Sequence, residues 1–313
     1  MKKTDINAYI KANYTKHSDE QIGNVVGLTA NAVRHRRRSF GLRSPFHARP
    51  KPLKLGPING VTSKKVRTLL LDVETAPSIG AFYDLWKEGN IVWTEEAWFM
   101  LSFAFKWLGE SKVQCRTLSD YPGYKKEPHN DKKLIEDLWK LIESADIIVG
   151  HNGDRFDLRK TNARIVYHGF SVPAPYKTVD TLKVARRYFK FDSNRLNDLG
   201  LYLGVGNKVP HTGAKLWKDC MKGDSKSWEI MRDYNKQDVN LLEKVYLKLR
   251  PWMNNHPNVN LVDMKTGACP TCGSTKLYKR GYSMARSCRS QRFQCRDCGT
   301  WSLGKNEGRL VVR

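Results

Sequence analysis

Leu69-Leu70-Leu71-Asp72-Val73-Glu74-Thr75 is the stretch on which the reading of this chain turns. Three leucines in succession describe a strand covered on both faces. Residues i and i+2 of a strand share a face, so Asp72 and Glu74 project side by side where the strand emerges from its cover. Two carboxylates held that close repel unless a cation lies between them. A second segment repeats the arrangement: Ile147-Ile148-Val149 is a short apolar strand that runs through Gly150-His151-Asn152-Gly153-Asp154-Arg155-Phe156 to Asp157, where a helix begins. A third, Tyr234-Asn235-Lys236-Gln237-Asp238, places Tyr234 and Asp238 four apart, on one helix face. Taken singly these segments have ordinary readings: a solvated strand end, a helix N-cap, an exposed helix pair.

Around these segments, Val66 to Asp72, Trp98 to Leu108 and Lys112 to Leu118 read as strands, the last two turning at Gly109-Glu110. Leu134, Leu138, Leu141 and Ile142 mark an amphipathic helix, and another runs from Leu158 to Tyr167. Beyond Val179 the pattern is mostly helical, with a long last helix from Ser225 to Leu249. The expected class is α/β, a mixed sheet flanked by helices, over residues 66–250.

The charge distribution adds two smaller parts. The 313-residue chain carries a formal charge of +24. Residues 1–65 hold 14 lysines and arginines against 3 acids, and residues 264–313 hold 11 against 2. The middle, residues 66–263, is nearly balanced at 30 against 26. Two basic ends around a near-neutral centre point to a polyanionic partner, nucleic acid above all. No 18-residue uncharged apolar run and no apolar leader occurs, which excludes a membrane-spanning helix and a Sec signal and points to the cytoplasm.

In the basic front end, residues 1–43, Ile6, Tyr9 and Ile10 have helical spacing. Ser18 with Gln21 forms a capping-box start, and Thr29-Ala30-Asn31 opens a third helix after Gly27-Leu28. This is a helix-turn-helix pattern, with Asn31, Arg34, Arg37 and Arg38 as candidate DNA contacts. Residues 44–65, rich in Pro and Gly, read as a basic linker, and residues 251–263 as a second linker.

The basic tail, residues 264–313, contains Cys269-Pro270-Thr271-Cys272 and Cys295-Arg296-Asp297-Cys298, a C-x2-C-x22-C-x2-C pattern. Four thiolates from two knuckles are the ligand set of one structural Zn²⁺. Disulfides are the alternative, but nothing indicates an oxidising compartment. Lys279, Arg280, Arg289 and Arg292 are candidate phosphate contacts here. Cys288 stands outside the pattern, and Cys115 and Cys220 read as core thiols.

Taken together, the 178 residues from Leu69 to Tyr246 resemble the DEDD superfamily of 3′→5′ exonucleases, which includes polymerase proofreading domains. Asp-x-Glu-Thr at 72–75 matches its first motif, Asn152 to Asp157 its second, and Tyr-x3-Asp at 234–238 its third, in the tyrosine subtype. The histidine subtype needs His where Asp233 stands. Ser274 to Trp301 resembles the zinc ribbons of transposase-like proteins, and Ser18 to Leu42 resembles DNA-binding modules of phage and bacterial proteins.

The resemblance implies an RNase H-like fold in which Asp72, Glu74, Asp157 and Asp238 hold two Mg²⁺ or Mn²⁺ ions and Tyr234 orients the attacking water. It implies 3′→5′ exonuclease activity on DNA, releasing nucleoside 5′-monophosphates. Thr75, Asn152 and Phe156 become candidate substrate contacts, with Phe156 also readable as core, and His151 reads as structural. Asp180 reads as the cap of the helix after it. Phe82, Tyr83, Trp86, Trp93 and Trp98 read as the cover of a sheet, or else as base-stacking rings. A ribonuclease using the same carboxylates, or a DNA-binding adaptor with an idle nuclease fold, are the competing functions.

Overall fold

The leucines of the opening stretch lie at the centre of a five-stranded sheet. The structure, a computed structural model, describes residues 3–42, 65–83, 91–208, 213–262 and 266–307. The chain divides into two compact units, Met1–Ser63 and Lys64–Arg313. Most of the expected 44–65 linker lies outside the described residues.

The described residues of the first unit form three helices, α1 (Lys3–Asn13), α2 (Asp19–Val26) and α3 (Ala30–Ser39). Ser18 and Gln21 form the expected capping box at the start of α2, and Thr29 caps α3 through the Ala32 amide. Gly27 takes a left-handed φ of 70°, which turns the chain between them. Ile10, Ile22, Val26 and Val33 form the small core.

In the second unit, β1 (Thr68–Thr75) is followed by a hairpin of β2 (Ile79–Phe82) and β3 (Ile91–Glu96). Then come β4 (Met100–Trp107), β5 (Gln114–Thr117), α4 (Lys132–Glu143), β6 (Ile147–Gly150), α5 (Asp157–Tyr167) and β7 (Lys177–Asp180). Four helices follow: α6 (Thr181–Tyr188), α7 (Leu196–Tyr202), α8 (Ala214–Met221) and α9 (Ser225–Leu249). The sheet order is β5-β4-β1-β6-β7. β4 and β5 join β1 on its antiparallel side, and β6 and β7 on its parallel side.

Alternation along β1 assigns its side chains to two cores. Leu69, Leu71 and Val73 pack with α4, α5 and α8, while Leu70 packs with α6, α7 and the second half of α9. Asp72 and Glu74 have the parity of Leu70 and so face α9. On the first face, buried Asp131 ties α5 to β4: it accepts from Arg164 and His168 and from the Met100 amide.

Two features differ from the sequence expectation. β7, only four residues long, falls between the expected 158–167 helix and the mostly helical stretch beyond Val179, where the sequence reading assigns no strand, and the β2–β3 hairpin was not foreseen either. Phe82, Tyr83 and Trp93 do not cover the sheet: they stand on or beside that hairpin at 55%, 90% and 58% exposure. Trp98 instead carries the Lys160 ammonium 3.7 Å from its ring centre, and Trp86 lies outside the described residues.

Residues 251–262 pack closely. Met253 belongs to the α9-side core, the Val259 amide donates to Pro270, and the Asn260 side chain donates to the Ala268 and Cys269 carbonyls. The third sheet, β8 (Leu277–Met284), β9 (Arg289–Cys295) and β10 (Trp301–Glu307), pairs in the order β10-β9-β8.

Gly200 links fold to site. A Cβ there would lie 2.6 Å from the Gly206 carbonyl and 2.7 Å from Leu241 of α9. Gly200→Ala therefore forces α7 off α9 and displaces the loop ending at Lys208. We expect urea unfolding of this variant to show a loss of about 1–3 kcal/mol; an unchanged midpoint would contradict the packing described.

Candidate active site

Asp72 and Glu74 leave β1 on the α9 side, and a register shift between Glu74 and Thr75 separates Thr75 from their alternation. From α9, Asp238 meets them: one carboxylate oxygen from each of Asp72, Glu74 and Asp238 lies within 4.8 Å of the others. Asp157 arrives from the opposite side at the start of α5, and its Oδ1 accepts the Val73 amide at 2.9 Å. Gly150 and Gly153 allow that approach. Their α-carbons are so close that a Cβ on Gly150 would sit 3.1 Å from Gly153.

The electrostatics follow from this crowding. Burial, and then Asp157, Glu74 and Asp238, push Asp72 well above the usual carboxylate range. Burial and Asp238 push Glu74 up to about 8, and burial raises Asp157 to about 7 against the pull of the Val73 amide. Burial raises the Tyr234 phenol, with Asp238 and Glu74 adding to the effect, so it stays protonated.

Two residues complete the site that the sequence reading missed. Lys208, in the loop after α7, donates to Asp238 Oδ2 at 2.5 Å and to the Tyr234 hydroxyl at 3.1 Å. Burial works against its charge, but Asp238 and Tyr234 overcome that, and its pKa is raised. Asn235 donates to Asp72 Oδ2 at 2.6 Å and accepts from Ser102 at 3.0 Å, which fixes the carboxylate's orientation. The only signal for Asn235 was its place inside the third motif. Lys208 had none beyond the need of clustered acids for a cation.

The remaining candidates lie around this centre. Asn152 adopts a left-handed φ of 65°, which Asn tolerates, and its amide donates to Asp180 Oδ1. Asp180 also caps α6 through the Leu182 amide, as expected. His151 bridges Thr181 and the Asn194 carbonyl, and burial lowers its pKa, so it is a neutral brace. Phe156 is 40% exposed and so stands at the surface. A cavity of about 630 Å³, lined by His151, Asn152, Arg186, Arg195, Asn197 and Lys208, reaches the site through Lys208, the partner of Asp238.

A second cluster lies beside the three-stranded sheet, with only Cys295 in a strand. The sulfurs of Cys269, Cys272, Cys295 and Cys298 fall within 4.8 Å of one another, with Cys269–Cys298 and Cys272–Cys295 at 3.6 Å. Zn–S bonds of about 2.3 Å in a tetrahedron give S···S edges of about 3.8 Å, so the spacing suits zinc and is far too long for disulfides. Cys115 and Cys220 are buried, as expected of core thiols.

In the helical unit, Arg37 is buried. It grips Asp19 with two hydrogen bonds of 2.9 Å and donates to the Leu42 carbonyl. That engagement is internal to the bundle; half-buried Arg34 also pairs with Asp19, at 3.6 Å, while Asn31 and Arg38 are exposed.

Residues 103–250 match the family model of the RNase_H superfamily. The match includes Asp157, Tyr234 and Asp238 and begins after Asp72 and Glu74. No curated protein matches the chain in sequence. Among solved structures, the family B DNA polymerase from the hyperthermophilic archaeon Pyrobaculum calidifontis aligns at 15% identity and a TM-score of 0.47. That alignment covers 71% of this chain and 31% of the polymerase, so the chain corresponds to about a third of that protein. The fold is RNase H-like: a mixed parallel and antiparallel sheet flanked by helices.

Two predictions follow from the clusters. Without divalent metal, folded Glu74 and Asp157 keep protons up to about pH 8 and 7, whereas unfolded carboxyls release them near pH 4. The folded state then binds more protons, so stability falls as pH rises from about 4 to 8. The metal-free thermal midpoint should drop across that window, and Asp72→Asn should flatten the drop. A midpoint that rises with pH would contradict the crowding. Elemental analysis should find one zinc per chain, lost in Cys295→Ser; zinc retained in that variant would place the metal elsewhere.

Proposed function

We propose that this chain is a metal-dependent 3′→5′ exonuclease acting on DNA, with nucleic-acid-binding parts at both ends. The observation that supports it most is the convergence of Asp72, Glu74 and Asp238 within 4.8 Å, with buried Asp157 and Tyr234 close enough to share their field. Such a set, with Asp72 and Glu74 raised in pKa by burial and then by mutual repulsion, suits hard divalent cations such as Mg²⁺ or Mn²⁺. Lys208 already supplies one positive charge there and stands in for part of theirs.

Asp72, Glu74, Asp157 and Asp238 would hold two ions. The ions would supply charge neutralisation and a more acidic water at the scissile phosphate. Asn235 holds Asp72 in one orientation. Tyr234, kept protonated, is suited to orient water by hydrogen bonding and not to take its proton. Lys208 reaches both Tyr234 and Asp238 and can give its charge to the phosphate when cations enter. Thr75, Asn152 and Phe156 are proposed contacts to a terminal nucleotide, and the 630 Å³ cavity, which Asn152 lines with Arg186 and Arg195, suits its phosphates. Asn31, Arg34 and Arg38 of the helical unit are proposed contacts to duplex DNA. Lys279, Arg280, Arg289 and Arg292 of the zinc ribbon are proposed phosphate contacts.

The test uses Mg²⁺ or Mn²⁺ with single-stranded DNA, duplex DNA and RNA labelled at either end. Stepwise release of nucleoside 5′-monophosphates from DNA 3′ ends is expected. Asp72→Ala should lower the rate by at least about a thousandfold, and Tyr234→Phe by about a hundredfold. Faster cleavage of RNA would instead assign a ribonuclease. Binding without cleavage on any substrate would assign a DNA-binding adaptor.

A further inference from the structure

One face of the zinc-ribbon sheet combines exposed rings with arginines. Tyr278 pairs with Gln294, and Gln294 with Trp301, so these three side chains form one row across the strands. Alternation adds Arg280 from β8, Arg292 from β9 and Leu303 from β10 to the same face. Leu303 is directly opposite Arg292. Tyr278 and Trp301 remain 42% and 47% exposed and Leu303 61%.

The arginines are arranged around the rings. The Arg296 guanidinium lies 3.8 Å from the centre of Tyr278, and those of Arg280 and Arg292 each lie 5.9 Å from the centre of Trp301. Arg280 also donates to Gln294 at 2.9 Å, which fixes it beside the row. At one end the surface is bounded by a register shift between Lys279 and Tyr282, where Gly281 takes a φ of 67°.

The chemistry of this face selects its partner. A neutral protein surface would use the rings and Leu303 but leave three guanidiniums without anions. A duplex would meet the guanidiniums through its phosphates but hides its base faces within the stack, leaving the rings unused. An unpaired strand offers both π-faces and phosphates at short intervals. The excess of 11 basic over 2 acidic residues in 264–313 favours the same polyanion.

We propose that this face binds single-stranded nucleic acid, with Tyr278 and Trp301 stacking on bases and Arg280, Arg292 and Arg296 meeting phosphates. The ribbon would thus select unpaired segments over duplex. This rests on the nucleic-acid reading above but not on its cleavage chemistry.

The test uses the full chain with its zinc and no added divalent ion, so binding is read without turnover. Fluorescence anisotropy with a labelled oligothymidine and with a duplex of equal length separates the two forms. Tyr278→Leu and Trp301→Leu, which keep apolar bulk, should each weaken single-strand binding about tenfold and leave its salt slope unchanged. Duplex binding should change less than about twofold, because its stacked bases do not use the rings. Arg280→Gln with Arg292→Gln should instead reduce the single-strand salt slope by about 1.4.

Photocrosslinking of bromodeoxyuridine-substituted single strand to the wild-type chain, mapped by mass spectrometry, gives a readout that no folding defect can affect. Adducts at Tyr278 or Trp301 are expected. Equal losses on single strand and duplex, no loss on either, or no adduct in the ribbon would overturn the proposal. Crosslinks without nuclease activity would sink only the cleavage reading, and cleavage without crosslinks only this one.

Discussion

The repulsion among carboxylates at the end of β1 is the constraint around which the second unit is organised. Asp72, Glu74 and Asp238 converge within 4.8 Å, and Asp157 contributes to the same field. Like charges at that range, half or fully buried, keep protons well past their ordinary range unless cations intervene. The protein does not avoid this cost. Asn235 is spent on holding Asp72, an amide of β1 on holding Asp157, and Lys208 on partial neutralisation. Such investment in an unfavourable arrangement is the mark of a site kept for its chemistry.

The sheet explains how three distant segments reach one point. β1 is the central strand, antiparallel to β4 and parallel to β6. Its carboxyl end and that of β6 open on the same edge, so Asp72 and Asp157 meet there, while α9, packed by its first half in the Leu69 core and by its second half against Leu70, delivers Tyr234 and Asp238. Gly200 brings α7 against α9, and the loop that follows presents Lys208. The tetrad is thus a property of topology, and the strands and helices that hold it are rigid elements.

Much of this was legible in the sequence because its signals are local. The run Leu69–Leu71 identifies a strand buried on both faces, i and i+2 pairs Asp72 with Glu74, and i and i+4 pairs Tyr234 with Asp238. The four clustered cysteines are equally local, since each C-x2-C knuckle closes within four residues. What escaped is what depends on long-range contact. Lys208 lies in a glycine-rich loop without periodicity, and its role exists only because α7 docks on α9. Arg37 has the spacing of a groove-reading residue, yet Asp19, eighteen residues earlier, draws it into the bundle. β7 has four residues, too few for a period to emerge. The rings near Phe82 and Trp93 look like core by composition, but among the described residues their hairpin pairs only with itself and leaves them exposed.

The central claim is that the crowded carboxylates form a divalent-cation site, and calorimetric titration with Mn²⁺ in buffers of different ionisation enthalpy tests it most directly. The account predicts two ions per chain besides the zinc, with protons released on binding near pH 7 and affinity rising toward pH 8 as Glu74 and Asp157 deprotonate. Asp72→Ala should abolish the uptake. Wild-type protein that binds no Mn²⁺, or binds it equally well without Asp72, would contradict the account.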